Sequence, residues 1–324
     1  MGELFHDRYR DILNRYPLAQ AVAAEIWPRL RDEADAISLE DFLRDELLKS
    51  PTAHRQSQYW ALPLYFQDLL YDCGLRYSTH PDNFDRLVNA LLDLERVVFV
   101  TLNYDTIFDR VLGKYYTFDS LDSYIAHKHV ALIKLHGSVN WGRRIDTRGL
   151  GALESDGYRG LCHALAEDDT RVEAKITEMW EAPGPDPTQM RSSSRGVFYP
   201  ALALPLGPDD EPACPPTHSI ALQQTLNQQS YGSELHLLII GYSCLDKTPL
   251  AFIGESGSRV ASAVIVNGTE QAGRDALERL QQHLGGAAPW EHKDSDFVEL
   301  FDGGFTAFAS PAKLRSVVER VRSA

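Results

Sequence analysis

Apolar positions along this chain change their spacing once. From Glu3 to about Leu94 they recur every three or four residues, as in "LAQAVAAEIWPRL" and "SLEDFLRDELL", the period that lays one apolar stripe along a helix. Ser38 followed by Asp41 reads as a capping box opening the second segment. The first third is therefore expected to be helical. Beyond it the apolar residues run together instead: "RVVFVTLN" (96–103), "HVALIKLHG" (129–137), "ELHLLIIGYS" (234–243) and "SAVIVNG" (262–268). Short, nearly continuous runs rich in Val and Ile are how strands covered on both faces of a parallel sheet read. Helical patterns lie between or after them, notably "IFDRVLGKYY" and "QAGRDALERLQQHLG". The predicted class is α/β: a doubly wound, mostly parallel Rossmann-like sheet with a helical N-terminal third.

The span from Trp141 to about Ser233 interrupts this order. It joins a polar helical pattern, "AEDDTRVEAKITEMWEA", to Pro-rich stretches, "PGPDP" and "PLGPDDEPACPP", with an acidic loop around Asp209 to Glu211. A small accessory module inserted into the sheet domain is the expected arrangement. One domain then covers 1–324: a helical module (1–95), a parallel-sheet core (96–140 and 234–290), the insertion (141–233), and a closing turn and amphipathic helix (291–324). A chain of 324 residues, 44% hydrophobic and 24% charged, can bury a core of that size.

Charge and cysteine usage narrow the function classes. A formal net charge of -14 argues against a protein whose main task is gripping nucleic acid, which needs clustered Lys and Arg. Cys73, Cys162, Cys214 and Cys244 are far apart, and no C-x-x-C occurs, so neither a zinc site nor a disulfide framework is indicated. The expected compartment is a reducing cytoplasm, since "MGELFHDRYR" lacks the apolar segment of a signal peptide and no run is long enough to span a bilayer.

The candidate chemistry lies where the strands end. Each predicted strand runs into a polar or Gly-containing group: Asn103-Tyr104-Asp105, His136-Gly137-Ser138, Gly241-Tyr242-Ser243 and Asn267-Gly268. In an open α/β sheet the carboxyl ends of the strands form the crevice where ligands bind. Gly lets backbone approach a ligand, Ser and Asn offer hydrogen bonds, and histidine is the residue type whose ordinary pKa lies nearest neutrality. Each group alone has a plainer reading. Asn103 and Asp105 serve equally as a helix cap, His136 as a core histidine and Gly241 as a tight turn.

Taken together, "TLNYDTIFD", "KLHGSVNW", "YPALALPL", "LLIIGYSCLD" and "VIVNG" resemble the SIR2-like family, in particular the bacterial SIR2-like NAD-hydrolysing proteins of antiphage defence. The resemblance implies NAD+ as substrate and no metal. It also implies that Asn103 contacts the nicotinamide ribose and positions a water, that Asp105 binds the carboxamide and that His136 is the catalytic histidine. Gly241 and Ser243 would hold the adenosine side and Asn267 its ribose, with Thr101 and Gly137 completing the nucleotide-binding set. Cleaving the nicotinamide–ribose bond develops oxocarbenium character, which a polar group at the sugar face and a base near its hydroxyls can stabilise.

The chain departs from the family in two ways. Leu102 stands where the sirtuin deacylases have Gln, and their four zinc-binding cysteines have no counterpart, so a protein deacylase ranks third among the functions implied. The family's Gly-Ala-Gly-x-Ser phosphate loop is also missing, and "GELFHDRYRDIL" resembles the helix that follows that loop. Either the start was assigned downstream of the true one, or the chain is a degenerate nucleotide-binding or regulatory module without turnover. As it stands the chain is expected to lack a central strand and to hydrolyse NAD weakly or not at all. Control of an NAD hydrolase is expected from self-association or a separately encoded regulator. Other signatures are poor: "GESGS" (254–258) falls short of a nucleophile elbow, no P-loop occurs, and "HKH" (127–129) reads as a solvated edge rather than a metal site.

Overall fold

The structure, a computed structural model, describes residues 7–31, 39–77, 82–146, 153–167, 172–179, 192–193, 196–204, 213–227, 235–255, 260–284 and 298–323. Ser38 of the expected capping box, "PGPDP", the acidic loop at Asp209 to Glu211, and residues 256–258 of "GESGS" lie outside the described residues.

The helical third forms where the spacing predicts it. Helices cover Pro17–Arg31, Ala53–Tyr77 and Asp82–Leu91, with a π-helical stretch at Phe42–Leu48. Their apolar stripes meet: Val22, Ile26, Phe42, Leu62 and Tyr65 share one buried cluster with Tyr199 and Leu202.

The apolar runs become strands β1 (Val97–Thr101), β2 (Val130–Lys134), β7 (Leu235–Ile240) and β8 (Val260–Val266). β1 and β2 pair in parallel, from Val97 opposite Val130 to Thr101 opposite Lys134. β7 and β8 are joined by β9 (Val298–Phe301) in a second parallel group, with Ile240 opposite Val266 and Val266 opposite Phe301. The protein is thus mixed α/β with parallel sheets, and among the described residues its parallel strands form two hydrogen-bonded groups where one continuous sheet was expected.

β8 shows why a strand covered on both faces has no alternation to read. Val264 and Val266 pack with Phe308 and Val317 near the C-terminus, while Ala263 and Ile265 pack with Leu250, Ala276 and Leu280. Successive side chains point to opposite faces, so both faces need apolar residues. Burying each Val or Ile there contributes about 1.5–3 kcal/mol. Phe99 of β1 and Leu132 of β2 lie in the same cluster as Val264, so the two parallel groups share a core.

Two expectations are corrected. The helical reading of "TRVEAKITEM" fails: Val172–Met179 is strand β4, antiparallel to β3 (Gly137–Ile145). Val172 pairs with Ile145 and Ile176 with Arg143, so four steps of β4 span two of β3. An apolar spacing that looks helical is absorbed by bulges in this ladder. The closing turn expected near "FVELF" is in part β9, whose Val298 and Leu300 pack with Ile265. The antiparallel sheet is ordered β4-β3-β6-β5, with β5 at Ser192–Ser193 and β6 at Gly196–Leu202. Among the described residues no helix is long and apolar enough to cross a membrane.

Gly137 is where the chain leaves the parallel pair for the antiparallel sheet. Its φ is +83°, and a Cβ there would lie 1.9 Å from the Ala201 carbonyl oxygen. Gly241 has a φ of +64°, but a Cβ there would meet nothing within 4 Å. Gly137→Ala combines left-handed strain with overlap and is expected to cost about 3 kcal/mol or more, whereas Gly241→Ala carries the strain alone, about 1–2 kcal/mol. Urea denaturation of the two variants checks this, and equal losses would contradict it.

Candidate functional site

The strand register brings the first two polar groups together. Beyond the Thr101–Lys134 pair, the Leu135 N–H donates to the Thr101 carbonyl at 3.2 Å and the Val139 N–H to the Tyr104 carbonyl at 2.9 Å. The rings of Tyr104 and His136 lie 6.0 Å apart, and the Tyr104 hydroxyl donates to the Ala203 carbonyl at 2.7 Å. His136 is held by its backbone as well, its carbonyl accepting from the Ala203 N–H at 2.9 Å.

His136 reaches the second parallel group through Asp246. Its Nε2 lies 2.5 Å from Asp246 Oδ2, with the two side chains 27% and 24% exposed, so the pair is only partly screened by solvent. Asp246 follows the β7 end group and opens the helix Lys247–Glu255. Its other oxygen, Oδ1, accepts from the Thr248 N–H at 3.0 Å, and its carbonyl accepts from the Tyr242 hydroxyl at 2.7 Å. Burial alone would raise the Asp246 carboxyl; the His136 hydrogen bond, the Thr248 N–H and the His136 charge outweigh it and hold the group below its ordinary value. Burial pushes the Tyr242 hydroxyl up, and the Cys244 thiol up to about 11.

The remaining groups connect through backbone. The Gly241 N–H donates to the Val266 carbonyl at 2.9 Å, and the Asn267 N–H to the Phe301 carbonyl at 2.9 Å, so the ends of β7, β8 and β9 lie side by side. Asn267 donates through its Nδ2 to the Ala272 carbonyl in the first turn of the following helix, at 3.3 Å. The Ser243 carbonyl accepts from Arg279 at 2.8 Å. The open space beside Gly241 is the place where backbone could approach a ligand.

Two of the candidates have a local role. Asp105 Oδ1 accepts from the Ile107 N–H at 2.8 Å at the start of the helix Ile107–Leu112, which is the plain cap reading. Asn103 is exposed, and its backbone N–H bonds Thr101 Oγ1 at 3.1 Å.

Four residues, Lys134, Asp109, Tyr124 and Asp246, were missed in the sequence. Lys134, fully buried at the end of β2, donates to Asp109 Oδ2 at 2.9 Å and to the Asp105 carbonyl at 2.5 Å. Tyr124 donates to the other Asp109 oxygen, and burial, then the Asp109 charge, pushes its hydroxyl up. A lone Lys inside "VALIKL" is a visible signal, because an ammonium in an all-buried strand demands a partner. Asp246, just past Gly-Tyr-Ser, gave no comparable signal.

Chemically, the arrangement is a histidine backed by a carboxylate beside the carboxyl ends of parallel strands, with a buried cation fixing the backbone of Asp105. A pair of this kind can take and return a proton. Among the described residues no group of three or more His, Cys, Asp or Glu is placed to hold a metal ion. His127 and His129 bond the carbonyls of Thr117 and Glu95 at 3.3 and 3.1 Å instead.

No protein-family model matches this chain, and neither a curated protein nor a solved structure does.

The Lys134–Asp109 pair is expected to matter to stability through what its loss leaves behind. Lys134→Met strands a buried carboxylate and should cost about 3–5 kcal/mol, while the double variant Lys134→Met/Asp109→Asn should recover a large part of it. Chemical denaturation of both variants measures the difference, and additive losses would refute the coupling.

Proposed function

We propose that this protein is a SIR2-like NAD+ hydrolase that cleaves the nicotinamide–ribose bond to give ADP-ribose and nicotinamide, acting in the bacterial cytoplasm in antiphage defence. In this reading the two parallel groups belong to one doubly wound, Rossmann-like arrangement. NAD+ is the substrate, and a second copy of the chain or a separately encoded regulator restrains turnover. The observation that carries the reading is the His136–Asp246 contact, which sets a proton-accepting pair between the Asn103–Asp105 strand end and the Gly241–Ser243 turn. Asn103 then orients the water at the ribose, Asp105 receives the carboxamide, and Thr101 and Gly137 line the same edge. Gly241 and Ser243 take the adenosine side, with Asn267 at its ribose.

A second reading, a nucleotide-binding regulatory module without turnover, is favoured by the same contact read differently. Asp246 occupies His136 Nε2, and that nitrogen is then not free for a ribose hydroxyl.

Nicotinamide release from NAD+ by the full chain, with ADP-ribose binding measured by calorimetry, separates the two. Weak turnover by the wild-type chain that falls about 10²–10⁴-fold in His136→Ala, with ADP-ribose still bound, is the expected result. ADP-ribose binding without nicotinamide release from the wild-type chain would establish the regulatory module instead.

A further inference from the structure

Asp246 is held more firmly than a residue that merely ends a loop. Its carboxylate accepts the Thr248 N–H at 3.0 Å on one oxygen and meets His136 on the other, while Tyr242 holds its carbonyl at 2.7 Å. The six-residue path from Gly241 to Asp246 bends through two left-handed positions, Gly241 at φ +64° and the buried Cys244 at φ +55°. A left-handed non-glycine residue is costly and persists where its surroundings demand it. Here the bend returns the chain so that Asp246 faces the end of β2. The start of the helix Lys247–Glu255, with its positive dipole end, favours a carboxylate at that place.

We propose that Asp246 is the positioning residue of the site, accepting the hydrogen of His136 Nε2 so that the imidazole offers Nδ1 as its base; this inference rests on the NAD-hydrolase reading. A carboxylate can only accept, so the shared hydrogen belongs to Nε2 and the lone pair of the neutral ring belongs to Nδ1. In the reaction the C1′–nitrogen bond breaks with its electron pair leaving on nicotinamide, and the oxygen of water bonds to C1′. The proton lost by that water, directly or through a ribose hydroxyl, passes to Nδ1 and then to solvent. Asp246 remains a carboxylate throughout and balances the imidazolium while it exists. A histidine and carboxylate acting in this way form one functional unit although they stand far apart in sequence.

The test compares wild type, His136→Ala and the isosteric Asp246→Asn, with folding checked by thermal melting and substrate affinity by ADP-ribose calorimetry. Nitrogen-15 spectra of the histidine rings, with His136 assigned by its loss in His136→Ala, report which ring nitrogen carries hydrogen. Expected are a neutral wild-type ring protonated at Nε2, a mixed ring in Asp246→Asn, and kcat lowered about 10²–10⁴-fold with KM within about threefold. A wild-type ring protonated at Nδ1, or an Asp246→Asn variant that keeps its kcat, would overturn the positioning role while leaving the hydrolase reading in place. Absence of nicotinamide release from the wild type, with the ring protonated at Nε2, would instead sink the hydrolase reading and the catalytic use of the pair with it.

Discussion

The contact between His136 and Asp246 is the constraint on which the arrangement of this site depends. It joins residues 110 positions apart and links the end of the β1–β2 pair to the turn after β7. Neither partner is free to drift. His136 is fixed by the chain reversal at Gly137, where only a residue without a Cβ escapes the Ala201 carbonyl, and by its own carbonyl bond to Ala203. Asp246 is fixed by the helix that it opens and by Tyr242. A hydrogen bond between two partners already held in place loses little rotamer entropy when it forms, which is how a partly buried pair becomes a defined one.

Beneath this contact lies a second polar group with a different task. Lys134 is fully buried and Asp109 nearly so, and a buried ion pair is weak evidence of net stability because desolvation consumes most of the Coulombic gain. What the pair does is specify. The Lys134 ammonium bonds the Asp105 carbonyl as well as Asp109, so the loop that carries Asn103 and Asp105 is tied to the last residue of β2. The loop geometry thus follows from strand register, since Lys134 stands opposite Thr101.

Much of this was legible in the sequence, for a reason that also explains what was not. The runs at 96–103, 129–137, 234–243 and 262–268 announced strands because a strand covered on both faces cannot alternate, and helices do cover both faces of β8. The polar groups at their ends were equally visible. β4 was missed because bulges let Val172 and Ile176 keep a helical spacing within a ladder, and β9 because four residues are too few to carry a pattern. Asp246 was missed because its partner is remote. Periodicity reports neighbours along an element, while the His136–Asp246 distance is set by the packing of two parallel groups on one core.

That division of the strands has a consequence for the site. Within each parallel group backbone hydrogen bonds fix register residue by residue, so Thr101 cannot shift against Lys134, nor Gly241 against Val266, without breaking a ladder. Between the groups the described connections are of another kind: shared apolar burial around Leu132 and Val264, and the His136–Asp246 bond. Apolar packing is non-directional and tolerates small sliding, whereas a hydrogen bond weakens steeply with distance and angle. The precision with which His136 meets the turn after β7 therefore rests on the directional link. Packing brings the two edges near, and one histidine and one aspartate decide how they meet.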